Sequence, residues 1–600
     1  MRLKKTASIA LLFASLGLLQ ASAPAFAASA AASSKVSKVE TQLKALNALL
    51  KEQWEYNLRK NPEFASMIGD QRYNDKLSDF SQAAIDEETR AEAVFLKRFM
   101  AIDSTGFSTQ DQLNKDLMVR QLAIGVEGIK FKEWQMPVLQ NSGLHLEAPE
   151  MVARLSFTSV KDYQDYLARL KALPLAFEQI TVQMQNGVKS KLMPPQFLLT
   201  KIARQCEDIA AINLDDSPFT QPLKKFPASF SEADKQNLSA AIRAAVVTQV
   251  VPSYQKFAGF VATEYAPHGR QDVGIWSLPE GAERYKFRVK TSTTTDMDPE
   301  QIHQLGLREV ARIEALMLGT AQKLGFADLK SFNASVLKNP DLHPKSRQEI
   351  LDLYTKYTEQ MEAKLPQLFG RLPKAKMTVM AVPEFSEKEA AGASYNNGTP
   401  DGSRPGHVMV NTSDFTERLT LPIESTALHE GLPGHHMQIS IAQELQGLPE
   451  FRKQGNYNAY AEGWALYSER LGEELGFYQE PYSYYGHLQD EMLRAIRLVV
   501  DTGLHYKKWN RQQVVDFFHD HSGIEEVDVQ SETDRYIVWP GQALGYKIGQ
   551  LKIVALREYA TQKLGKKFDL RAFHDEVLGA GALPLDVLEQ RIHAWVKAQI

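Results

Sequence analysis

His429 and Glu430 stand side by side in Ala427-Leu428-His429-Glu430-Gly431-Leu432-Pro433-Gly434-His435-His436-Met437-Gln438. Two further histidines, His435 and His436, follow within the same stretch. A second acidic stretch, Tyr460-Ala461-Glu462-Gly463-Trp464-Ala465-Leu466-Tyr467-Ser468-Glu469, lies downstream. Imidazole and carboxylate are the donors of hydrolytic zinc sites, which use three protein ligands and keep one position open. An acid directly after a ligand is placed to act as general base on an activated water. Structural zinc sites are usually closed and rich in cysteine, and this stretch has none.

The common helical solution, H-E-x-x-H, puts two histidines one turn apart on one face. Here the position four residues after His429 is Pro433, which cannot bind a metal. On an unbroken helix His436 would sit ~10.5 Å along the axis from His429. Two imidazoles that far apart cannot share an ion with bonds of ~2.0–2.1 Å. The helix must therefore break, and Gly431-Leu432-Pro433-Gly434 supplies the break. A bulge of two extra residues brings His435 to the second ligand position; a bulge of three brings His436. The reading favours His435, with His436 as a supporting or substrate contact. Glu462 is the expected third ligand. Glu469, two turns further on the same face, is placed to orient a ligand histidine. The competing readings are a closed structural metal site and an ordinary solvated histidine cluster.

These side chains need helices to hold them, and helical periodicity dominates the chain. Apolar residues recur at three- and four-residue steps in Val39 to Leu58, Gln112 to Ile129, Val160 to Met184 and Glu232 to Glu264. Ser231 is an expected N-cap. Asp298-Pro299-Glu300-Gln301 reads as the start of a helix running to about Leu324. Another helix is expected from Ser346 to about Phe369. Tyr285 to Lys290 alternates apolar and basic residues and reads as a strand or extended segment. Met377 to Val382 is β-prone, and Ala391 to Asn411 is rich in Gly, Asn, Ser and Pro before the run His407-Val408-Met409-Val410. This segment reads as a small sheet or hairpin next to the metal helix, whose edge could hold an extended peptide. From Ile423 on the chain reads as helical. The expected fold class is mainly α.

The chain has 600 residues and a formal charge of −4. Near-balanced charge without a long basic stretch argues against nucleic acid as a partner. Residues 1–27 read as a secretory signal, with Arg2, Lys4 and Lys5 ahead of a short apolar run and Ala25-Phe26-Ala27 as cleavage site. No second segment reaches membrane-spanning length, so no membrane span is expected after cleavage, and the destination is periplasmic or secreted. Residues 28–38 read as a disordered tail, 39–280 as an N-terminal helical subdomain and 281–600 as the metal-binding subdomain. Cys206, the single cysteine, permits no internal disulfide and reads as a buried apolar residue. His145 and His268 are isolated and read as structural or surface residues. His519 and His521, two residues apart, face different sides of a helix and read as a solvated pair.

His429-Glu430-x-x-Pro433-Gly434-His435-His436-x-Gln438, Ala461-Glu462-Gly463-Trp464-Ala465-Leu466-Tyr467 and Pro540-Gly541-Gln542-Ala543-Leu544-x-Tyr546-Lys547-x-Gly549 resemble the bacterial family known as domain of unknown function 885. Thr293 to Asp296 and Ile302-His303-x-Leu305-Gly306 carry the same resemblance, which spans most of the mature chain. The family in turn looks like a distant cousin of the helical gluzincin peptidases around angiotensin-converting enzyme and the oligopeptidases. This sequence departs from their H-E-x-x-H through its bulge. The resemblance implies two helical subdomains flanking a channel, a Zn2+ cofactor and a peptide substrate. It also implies a His and a Tyr from C-terminal helices as donors to the oxyanion; the candidates here are His505 and Tyr536, with Tyr546 as a third. Arg497 and Arg535 lie in apolar contexts, where they either hold a peptide C-terminus or pair with Glu491, Asp501 or Asp534. The expected function is an exported zinc metallopeptidase with Glu430 as base. The alternatives are a non-catalytic binding or scaffold protein with a structural metal, and a zinc hydrolase of another amide or ester.

Overall fold

The computed structural model describes residues 23–600 apart from 385, 386, 388 and 389. Residues 1–22, which carry most of the expected signal peptide, lie outside the described residues. The segment 28–38, expected as a disordered tail, falls instead within the helix Ala23–Lys60. Its alanines are the strongest helix formers, and no Gly or Pro interrupts them.

The fold is mainly α, as expected. Ser231 caps Glu232–Ala245 by accepting from the Asp234 N–H. Asp298 and Gln301 form a reciprocal capping box at the start of Pro299–Lys323. The expected strand at 285–290 is a correction: these residues lie in the helix Gly281–Thr293. Gly281, Tyr285 and Val289 are buried at four-residue steps, and the intervening Arg284 is buried because Glu133 and the Phe131 carbonyl pair with it. Charged side chains that find partners inside disguised a helical period as an alternating one.

Three strands form one sheet among the described residues: β1 (Met377–Ala381), β2 (Ala393–Asn396) and β3 (Gly406–Val410), in the order β1-β3-β2. β3 is central, parallel to β1 and antiparallel to β2. Gly406, Val408 and Val410 of β3 are buried on one face. The two valines share a small core with Ile350, Tyr354, Ile423 and Ala427. That core fixes the sheet against Arg347–Glu362 and against Ile423–Glu430, the helix that ends in His429-Glu430.

The apolar cores do not divide at residue 280. Residues between Val138 and Ala266 make one core of their own. Leu46 to Leu122 instead pack into a core with Trp464, Tyr467, Ile553, Phe573 and Ile592. The first helices therefore belong with the C-terminal part, whose helices Asn458–Glu474 and Leu544–Leu564 contribute to the same core. Those two helices touch backbone to backbone: a Cβ on Gly463 would lie 2.4 Å from the Gly549 Cα, and one on Gly549 1.8 Å from the Ala459 carbonyl oxygen. Among the described residues no helix is long and apolar enough to cross a membrane.

Candidate metal centre

The helix Ile423–Glu430 stops where the sequence breaks it. A new helix, His435–Glu444, begins after four residues. The Gly434 N–H folds back to the Leu428 carbonyl at 3.0 Å. A Cβ on Gly434 would lie 1.9 Å from the His429 carbonyl oxygen, so only glycine fits this return. Trp464 fixes the loop from the next helix: its indole N–H donates to the Pro433 carbonyl at 2.9 Å.

The break brings His435 back beside His429. Their side-chain nitrogens and a Glu462 carboxylate oxygen all lie within 4.8 Å of one another. His435 Nε2 is 3.2 Å from Glu462 Oε2, and His429 Nε2 is 3.6 Å from it. Tetrahedral ligands at ~2.0–2.1 Å from zinc are about 3.4 Å apart, so these spacings fit the ion. His436 does not join them. Its Nδ1 accepts from the Tyr395 hydroxyl at 2.8 Å, and its Nε2–H donates to the Ala375 carbonyl at 3.2 Å. Burial holds its pKa down to about 4, so it is a neutral tether between the metal helix and β2.

Glu469 takes the place expected of it. The His429 Nδ1–H donates to Glu469 Oε1 at 2.7 Å, which leaves Nε2 facing Glu462 and His435. Glu462 and Glu469 are two helical turns apart, about 10.5 Å, and the His429 ring lies lengthwise between them. Burial would keep His429 neutral, but the carboxylates of Glu462 and Glu469 outweigh it and raise its pKa to about 10. Burial pushes Glu462 up, yet the two histidines hold it well below the usual carboxylate range. Glu462 Oε2 is buried and receives no well-formed hydrogen bond. The cluster thus favours positive charge at its centre. A buried, unpaired carboxylate oxygen facing two imidazole nitrogens is a donor set that zinc satisfies.

Glu430 lies on the same cavity wall as His429, His435 and Glu462. The cavity measures about 890 Å³. Its walls come from distant parts of the chain: Gln140 and Lys201, then Gly392 to Tyr395 along edge strand β2, then the C-terminal helices. Across it, Lys201 Nζ is 2.6 Å from Asp534 Oδ2, and the Gln140 amide donates to the Asp534 carbonyl at 3.2 Å.

The two expected oxyanion donors are not at this cavity. His505 is buried, accepting from the Ile275 N–H at 3.0 Å and donating to the Tyr536 carbonyl at 2.9 Å. Both ring nitrogens are used, and burial holds its pKa down to about 3. Tyr536 is fully buried, its hydroxyl accepting from Arg497 Nε at 2.9 Å and donating to Glu532. The third candidate, Tyr546, does line the cavity. Its ring stacks on that of His429 at 6.4 Å, and its hydroxyl accepts from Arg535 Nη2 at 3.1 Å, leaving its own O–H free to donate. Arg497 and Arg535 both pair with Glu532, an acid the sequence reading did not consider. Glu532 precedes Tyr536 by one turn, and that spacing was the available signal.

The family described as "Bacterial protein of unknown function (DUF885)" matches residues 62–592. No curated protein matches the chain. Two solved structures share the fold. One, described as a "putative lipoprotein" from Colwellia psychrerythraea, is 29% identical with a TM-score of 0.89, covering 93% of this chain and 99% of that one. The other, a "putative lipoprotein of unknown function" from Shewanella oneidensis, is 18% identical with a TM-score of 0.69, covering 91% and 98%.

Proposed function

The chain belongs to this bacterial family, and within it we propose that the protein is an exported zinc-dependent metallopeptidase acting on short peptides. The observation that carries the reading is the convergence of His429, His435 and Glu462 in a cavity wall that also holds Glu430. A merely structural site has no use for an open cavity or for an acid beside the first ligand.

Zinc, held by His429, His435 and Glu462, would supply Lewis acidity to a water and to a substrate carbonyl. The chain's own residues do the rest. Glu430 takes a proton from the attacking water at its carboxylate and passes it to the leaving amine. Glu469 keeps the His429 ring in register through Nδ1. Tyr546 donates its free O–H to the carbonyl oxygen as charge builds there. The edge of β2, along the cavity, offers backbone groups to an extended peptide. Export is supported by the signal-like residues 1–27 and by the description of both similar structures as lipoproteins.

The test is zinc content together with hydrolysis of a mixed peptide library, on the wild type and on Glu430→Gln. The expected result is about one zinc per chain in both and cleavage in the wild type alone. A metal-replete preparation that binds no zinc would refute the reading; zinc without cleavage in the wild type would leave a metal site that is not a peptidase.

A further inference from the structure

Three arginines line the cavity beside the metal cluster: Arg494 and Arg497 on Pro481–His505, and Arg535 on Glu526–Val538. Each has donors without acceptors. Arg497 uses Nε on the Tyr536 hydroxyl and Nη2 on Glu532, both at 2.9 Å, while its buried Nη1 has no partner. Arg535 uses Nη1 on Glu532 at 3.1 Å and Nη2 on Gln542 and Tyr546 at 3.0 and 3.1 Å, while its Nε has none. Arg494 reaches Asp490 through Nη1 at 3.0 Å and approaches Glu469 through Nη2 at 3.9 Å, and its Nε is likewise unmatched. Glu532 is thus one carboxylate shared by two guanidiniums. Buried N–H groups of a cation are costly to leave unpaired, and an anion in the cavity is an acceptor that would match these three. Guanidinium forks match a planar carboxylate best.

The wall is also at the right distance. The Arg497 Cζ is 4.4 Å from the centre of the Tyr546 ring, and that ring is 6.4 Å from the ring of His429. The guanidinium is therefore no more than about 11 Å from the His429 ring. An extended peptide covers ~3.3–3.6 Å per residue, so a carboxylate held there lies within about three residues of a bond at the metal cluster. We propose that Arg497 and Arg535, with Arg494 beside them, bind the free C-terminal carboxylate of the substrate, so that cleavage falls within the last two or three residues. This rests on the hydrolase reading and names its substrate class: short peptides with an unblocked C-terminus.

The test is calorimetric binding to zinc-loaded Glu430→Gln of one alanine tetrapeptide in three forms: free acid, C-terminal amide, and amide with Glu as the last residue. The free acid is expected to bind at least about tenfold tighter than the plain amide, one guanidinium–carboxylate pairing's worth. Adding Arg535→Gln should bring the two within about twofold in protein that circular dichroism shows to be folded, and Arg535→Lys should restore part of the preference. Equal binding of acid and amide, or binding of none of the three peptides, overturns the proposal. Equal binding of the free acid and the Glu-amide overturns it too, assigning the wall to acidic side chains. Acid-selective binding by a protein whose wild type cleaves nothing would remove the hydrolase reading and leave the clamp standing.

Discussion

Glu469 Oε1 lies 2.7 Å from Nδ1 of His429, and Glu469 is wholly buried. Arg494 Nη2 approaches the same oxygen at 3.9 Å, and His487 Nδ1 approaches Glu469 Oε2 at 4.0 Å. The acid that orients the metal ligand thus has a cation and an imidazole near it, neither within hydrogen-bond distance. Glu469→Gln keeps the shape but weakens the pull on the Nδ1 proton. Zinc affinity should fall by about ten- to a hundredfold, read by competition with a chelator, with little change in melting temperature without zinc. Unchanged affinity would mean that Glu469 does no more than fill space.

Gly434 is the second test of the site's construction. Its missing side chain admits the His429 carbonyl at a distance where a Cβ would stand 1.9 Å away. Gly434→Ala must move the return of the chain, and with it His435. The expected cost is about 1–3 kcal/mol of stability, together with loss of stoichiometric zinc. Gly319→Ala is the control: it lies within Pro299–Lys323 with nothing near its Cβ position. There the substitution should be neutral or stabilising by up to about 1 kcal/mol. Urea unfolding and metal analysis of the two variants separate the cases.

Tyr546 and Tyr536 make a paired comparison. Tyr546→Phe removes the hydroxyl of this cavity-lining residue and should lower kcat by about 10²–10³, the cost of one oxyanion donor. KM should change little. Tyr536→Phe removes a buried hydroxyl held by Arg497 and Glu532 and should lower the melting temperature, with kcat per folded molecule kept. Reversed outcomes would return the donor role to Tyr536.

His505 gives the pH prediction. Its folded pKa of about 3 lies below the unfolded value of 6.5, with burial as the main cause. Between those values the unfolded chain takes up a proton that the native state refuses. The contribution of neutral His505 is therefore complete above pH 6.5 and is lost as the pH falls toward 3. His505→Asn should flatten the fall of stability between pH 6 and 4 by about one proton, near 1.4 kcal/mol per pH unit. Urea titrations across that range measure the slope, and identical slopes for the two proteins would contradict the assignment.

Local chemistry was legible in the sequence wherever it was also local in structure. The Gly431-Leu432-Pro433-Gly434 interruption required a helix break between His429 and His435, and the spacing of Glu462 and Glu469 put both on one face. Asp298 with Gln301 announced a helix start, and the β-prone runs marked β1 and β3. Burial of charge was less legible. Arg284 satisfies its guanidinium on Glu133 and a carbonyl far off in sequence, so a helix at 281–293 looked like a strand. His505 and Tyr536 carry the right chemistry but face inward, because Ile275 and Glu532 supply their partners. Which side of a buried helix meets a cavity depends on neighbours that no local pattern names.

The contact of Gly463 with Gly549 has a mechanical consequence. With no side chain between them, the helix bearing Glu462 and Glu469 and the helix bearing Tyr546 have no room to slide or tilt against each other. A metal ligand, the acid that steers its partner ligand and the cavity tyrosine ride on one stiff chassis. The facing wall is attached differently, by Lys201 and Gln140 on Asp534 and by Leu198, which is buried in the C-terminal core. A substrate must therefore fit a site whose ligand, steering acid and tyrosine keep fixed distances from one another.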